Sequence, residues 1–251
     1  MKIILSPSLR HRLRMARAGT GLVLFCMGFS AWGEDVQLAR FPKSANQYIA
    51  AQILADVYRK AGLTVSVVAL PPARATLEVI AGRIDGEVSR VYTHAEDNPG
   101  LVRVEPGYNH FTMASFSKLA IKIESVADLQ NYRVGIVRGL KAATDLTAGL
   151  PNVEKAVNSE TLFLMLAAGH LDVAIDVDIN GAFEVSRHQL KGVRNVGTLS
   201  RTEAFNYLAQ RKAYLQSRVG AAIAELKRTG ELDRLKRKYE QRFVELGVEP
   251  D

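Results

Sequence analysis

From residue 35 onward, short runs of alternating or β-branched apolar residues take turns with longer stretches whose apolar positions recur every three to four residues, and that alternation predicts an α/β protein. "DVQLARF" (Asp35–Phe41) reads as a strand. Ser44 followed by Gln47 predicts a capping box opening a helix with Ile49, Ile53 and Val57 on one stripe and a stop at Gly62. "LTVSVVAL" (Leu63–Leu70) is a second strand, "PPAR" turns into a helix over Ala73–Ala81 closed by Gly82, and "DGEVSRV" is a third strand. A βαβαβ order of this kind implies a parallel sheet with right-handed crossovers.

The same order restarts after Lys118. Tyr132–Gly139 reads as a strand feeding a helix near Lys141–Thr147, and Val153–Asn158 as a strand. Ser159 is placed to cap a helix over Thr161–Ala168 that Gly169 ends, and Asp172–Val177 is the next strand. A further helix is expected near Ile179–His188. His110–Lys118 and Ala204–Arg211 are plausible strands crossing between the two units. Two amphipathic helices near Lys212–Thr229 and Glu231–Phe243 close the chain, with Val219, Ile223, Leu226, Leu232, Leu235 and Tyr239 as their apolar stripe.

One joint is written twice. "AGRIDGEVSR" (Ala81–Arg90) returns 87 residues later as "AGHLDVAIDV" (Ala168–Val177), and upstream Leu77 and Val79 correspond to Leu164 and Leu166. Each copy reads as a last helical turn, a Gly, an apolar residue, an Asp and a strand. The recurrence of Asp85 and Asp172 favours a structural role, and the strand ends that differ, "EVSR" and "AIDV", are where selectivity is expected. The expected fold is two α/β domains with a cleft between them and two crossing strands. One lobe comprises residues 34–111 and 205–251, the other 112–204. Ligands of open α/β sheets sit beyond the carboxyl ends of the strands, and both joints aim those ends at the cleft.

Residues 1–33 have the pattern of a cleavable secretory leader: Lys2, Arg10, Arg12, Arg14 and Arg17 with no acid, an apolar run Ala18–Ser30, and small residues Ala31 and Gly33 before a cleavage near Gly33–Glu34. The run is short for a membrane anchor. Lipid attachment at Cys26 is not expected behind a residue as bulky as Phe25. Without the leader the formal charge falls from +7 to +2 (33 − 5 = 28 Lys+Arg against 26 Asp+Glu), and the only cysteine is gone. A periplasmic protein without thiols, disulfides or a strongly basic surface follows. Acidic residues interleave the basic ones in "ELKRTGELDRLKRKYE", so a solvated helix face is read there and no nucleic acid is expected. No His-pair metal motif, nucleophile elbow or phosphate loop occurs, so no metal, cofactor or hydrolase chemistry is expected.

The cleft-facing candidates follow from position. Arg90, at the end of an apolar strand, needs an anion: either a solute or an internal partner such as Glu87. Ser89 and Tyr92 flank it with groups that can hydrogen-bond a solute, and for Tyr92 the surface is the favoured alternative. Arg74 opens a helix and points either to the cleft or to solvent. Gly139 and the amides after it lie at a strand-to-helix turn that suits an anion, with Arg138 and Lys141 adding charge, or form an ordinary connection. Asp176 and Asp178 share a face if the strand continues and suit a cationic or hydroxyl-rich solute, or one of them caps the next helix. Phe41 either stacks on a ligand or packs.

The two "G-x-[IL]-D" joints, the crossing strands and the ending "IAELKRTGELDRLKRKY" together resemble type II periplasmic solute-binding proteins, specifically the amino-acid-type solute-binding family 3, over essentially all of residues 34–251. The resemblance implies a two-lobed monomer that closes on a small polar solute and delivers it to an ABC-type membrane permease. Some relatives of that family are instead sensor domains, and a few are dehydratases. Two positions depart from the family pattern. Its carboxylate-binding Arg falls by counting near Asp97, and its ammonium-binding Asp falls on Val177, between Asp176 and Asp178.

Overall fold

The computed structural model describes residues 34–246. The leader expected over residues 1–33 lies outside the described residues. The first lobe is built on β1 (Asp35–Arg40), β2 (Thr64–Ala69) and β3 (Gly86–Arg90), joined by α1 (Ala45–Lys60) and α2 (Pro72–Ile80). β1 pairs in parallel with both β2 and β3. The second lobe repeats the plan: β6 (Val134–Val137) pairs in parallel with β7 (Val153–Ala156) and β8 (Val173–Val177), joined by α3 (Lys141–Leu146) and α4 (Ser159–Ala167), with α5 (Asp178–Arg187) following β8.

The lobes share one curled sheet in the order β2-β1-β3-β9-β5-β8-β6-β7. The expected crossing over Ala204–Arg211 is the end of a much longer strand, β9 (Arg194–Ala209). Its first part pairs with β5 (Asn109–Ser117) in the second lobe and its last part with β3 and a short β4 (Leu101–Arg103) in the first. β5 keeps its pairing within the second lobe, between β8 and β9. The chain then passes through a 3-10 turn, Gln210–Leu215, into α6 (Gln216–Arg228) and α7 (Glu231–Leu246). Their stripe residues Val219, Ile223, Leu226, Leu232 and Leu235 are buried, and most of them join α1 in the first-lobe core.

The repeated joint does the same work in both lobes. Gly82 (φ 72°) and Gly169 (φ 79°) take the left-handed conformation that ends each helix. Ile84 and Leu171 are buried behind them. Asp85 then clamps Gln37 of β1 twice: its N–H donates to the Gln37 carbonyl (2.9 Å), and its carboxylate accepts from the Gln37 N–H (2.8 Å). Asp172 holds Arg133 in the same way, at 2.9 Å in each direction. A two-point clamp sets the register of a strand against its neighbour, so the two lobes align their strand ends alike.

Two caps differ from expectation. Ser44 caps α1, its hydroxyl accepting from Gln47 N–H, but the Gln47 side chain does not return the bond. It donates instead to the Ser89 carbonyl at 3.0 Å. α4 begins at Ser159 itself, and its cap is Asn158, whose side chain accepts from Thr161 N–H at 2.8 Å. No helix among the described residues is long and apolar enough to cross a membrane.

Candidate functional site

The carboxyl ends of β1, β3, β6 and β8 and the amino ends of α1, α2, α3 and α4 meet between the lobes. They enclose two adjoining hollows that share Phe41, Asn46, Gln47, Leu140 and Val177. One also takes in Asn158, Ser159, Asp176 and Asn180; the other takes in Ser89, Arg90, His94, Gly139 and Lys141. Their volumes, about 30 and 20 Å³, have room for about one water each, so the lobes are nearly shut on one another. Larger, open grooves of about 390 and 320 Å³ lie at the hinge side and are lined by His110, Arg201 and Lys236.

Three kinds of contact hold the lobes together. Asn180, on the first turn of α5, accepts across the gap from Asn46 N–H (2.9 Å) and the Ser44 hydroxyl (3.3 Å). Its amide in turn donates to Asp176 at 3.1 Å. Two ion pairs bridge the lobes, Lys43 with Glu160 and Lys141 with Asp97 (2.8 Å). Ile179 and Phe183 of α5 pack on the first-lobe core, the Phe183 ring 4.9 Å from Phe243. Gly139, in the left-handed conformation (φ 80°), lies so close to Pro72 that a Cβ there would fall 2.7 Å from the proline Cβ.

On the first-lobe side, Arg90 is buried and its Nη2 donates to Glu87 (2.6 Å), the Pro72 carbonyl (2.9 Å) and Thr76 (3.2 Å). The guanidinium lies 4.2 Å above the Phe41 ring. His94 meets the other Glu87 oxygen at 2.7 Å. Burial works to raise the Glu87 carboxyl, but the Arg90 charge and the hydrogen bonds from His94 and Arg90 outweigh it and hold the group down at about 2. Arg90 thus has an internal counter-ion, while its buried Nε lacks a hydrogen-bond partner among the described residues.

On the second-lobe side, Asp176 is completely buried. Oδ1 accepts from Val177 N–H (2.7 Å) and from Asn180, while Oδ2 has no hydrogen-bond partner among the described residues. Burial pushes the carboxyl up to about 6, against the pull of the nearby Ser159 hydroxyl, Asn180 and the Val177 amide. Gln47 Oε1, which lines both hollows, is likewise buried and unpartnered among the described residues. In the repeated joint Ser89 corresponds to Asp176 and Arg90 to Val177, so the parts of the repeat that differ are the parts that meet at the cleft.

The structure therefore brings Phe41, Ser89, Arg90, Gly139, Lys141 and Asp176 to the cleft. Four other candidates lie elsewhere. Arg74 is exposed and faces Glu78 at 3.7 Å. Tyr92 is half exposed, its ring under the Arg103 guanidinium at 3.4 Å and edge-on to Phe205. Arg138 is exposed and does not line either hollow. Asp178 borders a hinge-side groove and accepts from Asn195 at 3.1 Å. Gln47, Asn180 and Asn46 join the cleft without having been singled out from sequence. Amide side chains at a helix start read as caps, and only their spacing from strand ends in space marks them.

No family model matches the chain. A protein of Shewanella oneidensis, itself described only as uncharacterized, is 24% identical over 182 residues, covering 69% of each chain. Among solved structures, a histidine kinase sensor domain with similarity to periplasmic binding proteins superposes with a TM-score of 0.72 at 15% identity, covering 83% of this chain and 96% of that one. An ancestral arginine-binding protein bound to arginine gives 0.69 at 17% identity, covering 83% and 99%. The arginine-, lysine-, histidine-binding protein ArtJ of Geobacillus stearothermophilus gives 0.68 at 15% identity, covering 87% and 97%. At these identities the likeness is one of fold: the chain has the two-lobed architecture of type II periplasmic binding proteins.

Proposed function

We propose that the protein binds one small polar solute between its lobes in the periplasm and that hinge closure presents the closed form to an ABC-type permease. One observation carries this reading: buried polar atoms without partners among the described residues, Gln47 Oε1, Arg90 Nε and Asp176 Oδ2, converge from both lobes on one narrow cleft. Buried polar groups are normally satisfied, and a solute admitted by parting of the lobes supplies the missing bonds. An enzyme on this fold has less support. Glu87, at the first-lobe strand end, stays ionised in its pair with Arg90, lines neither hollow and has no proton to deliver near neutral pH, which leaves Asp176 as the single acid among the described residues that such an enzyme could use there. The likeness to a kinase sensor domain favours a second reading, in which the closed form is handed to a receptor.

A thermal-shift screen of amino acids, polyamines, organic acids and sugars tests the solute reading. A ligand present at 100 times its Kd adds about 2.7 kcal/mol to the stability of the folded state. A screen in which no solute raises the melting temperature overturns it. Co-purification of the closed form with a membrane permease separates transport from sensing.

A further inference from the structure

The charges around the cleft sort its ligands. Every cation that lines it already has an acid. Arg90 is paired with Glu87 at 2.6 Å, and Lys141 is held by Asp97 at 2.8 Å and Asp145 at 3.2 Å. Arg74 faces Glu78, and Arg138 lines neither hollow. A carboxylate entering the cleft would lose its water and find among the described residues no cation without an acid of its own, only hydrogen-bond donors such as Arg90 Nε and the Ser89 hydroxyl, with the Glu87 carboxylate beside Arg90. Removing an ion from water without a counter-charge is strongly unfavourable.

The acceptors are arranged in the opposite sense. Asp176 has no cation within salt-bridge distance among the described residues, its Oδ2 is unpartnered, and it lines the same hollow as Gln47, whose Oε1 is unpartnered too. The same hollow has apolar faces from Phe41, Pro72, Val137 and Leu140 beside the uncharged Asn46, Asn158, Ser159 and Asn180. Two unsatisfied acceptors, one of them a carboxylate, beside apolar faces and with no free cation among the described residues match a cationic nitrogen carrying several N–H donors on a short alkyl stem.

We infer that the cleft selects a small amine or amidine that lacks a carboxylate, with its cationic nitrogen on Asp176 Oδ2 and Gln47 Oε1 and an uncharged acceptor, or none, toward Arg90 Nε. The inference rests on the reading of the cleft as a solute site, and it separates the protein from its arginine- and lysine-binding structural neighbours by the group it rejects.

Three pairs of probes differ only in a carboxylate: putrescine and ornithine, cadaverine and lysine, agmatine and arginine. Calorimetric titration of the full chain with all six, at one ionic strength and pH 8, is the test. At least one amine is expected to bind ten times more tightly than its amino acid. Asp176→Asn keeps the Oδ1 acceptor for Val177 and Asn180 and is expected to weaken that amine at least tenfold while the protein still melts cooperatively. Gln47→Ala is expected to weaken it as well. An amino acid that binds as tightly as its decarboxylated partner, or amine affinity that survives Asp176→Asn, overturns the inference. So does an organic acid or sugar that binds where all three amines fail, an outcome that leaves the solute reading standing. If none of the six and no solute of the wider screen binds, both readings fall.

Discussion

Replacing Asp176 by asparagine should stabilise this protein at neutral pH while damaging its site. The carboxyl is fully buried, accepts two hydrogen bonds on one oxygen and none on the other among the described residues, and burial carries it from an ordinary value of 3.8 to about 6. A group whose folded value is raised contributes stability that is complete below its unfolded value and lost as pH rises through the folded one. At about 1.36 kcal/mol per pH unit, the ionised carboxylate therefore costs the folded state up to about 3 kcal/mol above pH 7 and only about 1 kcal/mol at pH 4.5. Asparagine resembles the protonated acid and escapes that cost. Its new N–H₂ needs an acceptor, and an unmet donor removes about 1–3 kcal/mol, so the gain at pH 7.5 has about 3 kcal/mol as its ceiling. The difference between the two pH values is free of that offset, because packing and hydrogen-bond losses do not change with pH. Glu184 is raised to about 7 chiefly by burial and in part by the Asp176 charge; the variant loses that part, which adds to the growth of the difference with pH. Urea unfolding of both proteins at pH 4.5 and 7.5 measures the effect. The stability difference, variant minus wild type, should grow by about 2 kcal/mol between the two conditions. A difference that stays constant with pH refutes the reasoning, since Asp176 would then ionise in the folded protein as it does in the unfolded chain.

Two further perturbations test the lobes and their seam. Arg90→Ala leaves the buried Glu87 with only His94 and the Thr76 hydroxyl and should cost about 3–5 kcal/mol, the usual loss when one member of a buried ion pair is removed; a loss under about 1 kcal/mol in chemical denaturation would mean that Glu87 does not depend on Arg90. Gly139→Ala places a Cβ 2.7 Å from the Pro72 Cβ, on the opposite lobe, and adds the left-handed penalty of about 1–2 kcal/mol. It should therefore favour parted lobes and raise the radius of gyration in small-angle X-ray scattering, and an unchanged radius would show that closure does not pass through this contact.

The architecture was largely legible along the chain. Helix and strand periods, glycine stops and the recurring Asp are local, because whether one face of an element is buried is written in its own few turns. The repeated joint also carried its structural meaning, since Asp85 and Asp172 act on strands that each lobe must pair in any case. Three things were not local. The reach of β9 through both lobes depends on which strands stand beside it, and its first half, with exposed positions interspersed, has no strong period. The cap of α1 reads as a reciprocal box until the Ser89 carbonyl, 42 residues away, takes the glutamine. The cleft itself joins Asn46 to Asn180 across 134 residues, and Lys141 to Asp97 from one lobe to the other. By itself the sequence determined two α/β units with their strand ends marked. Which of its charges are already neutralised there, and which acceptors are left waiting, only the tertiary structure decided. Hydrogen bonds and ion pairs act over about 3–4 Å in space, whatever the separation along the chain.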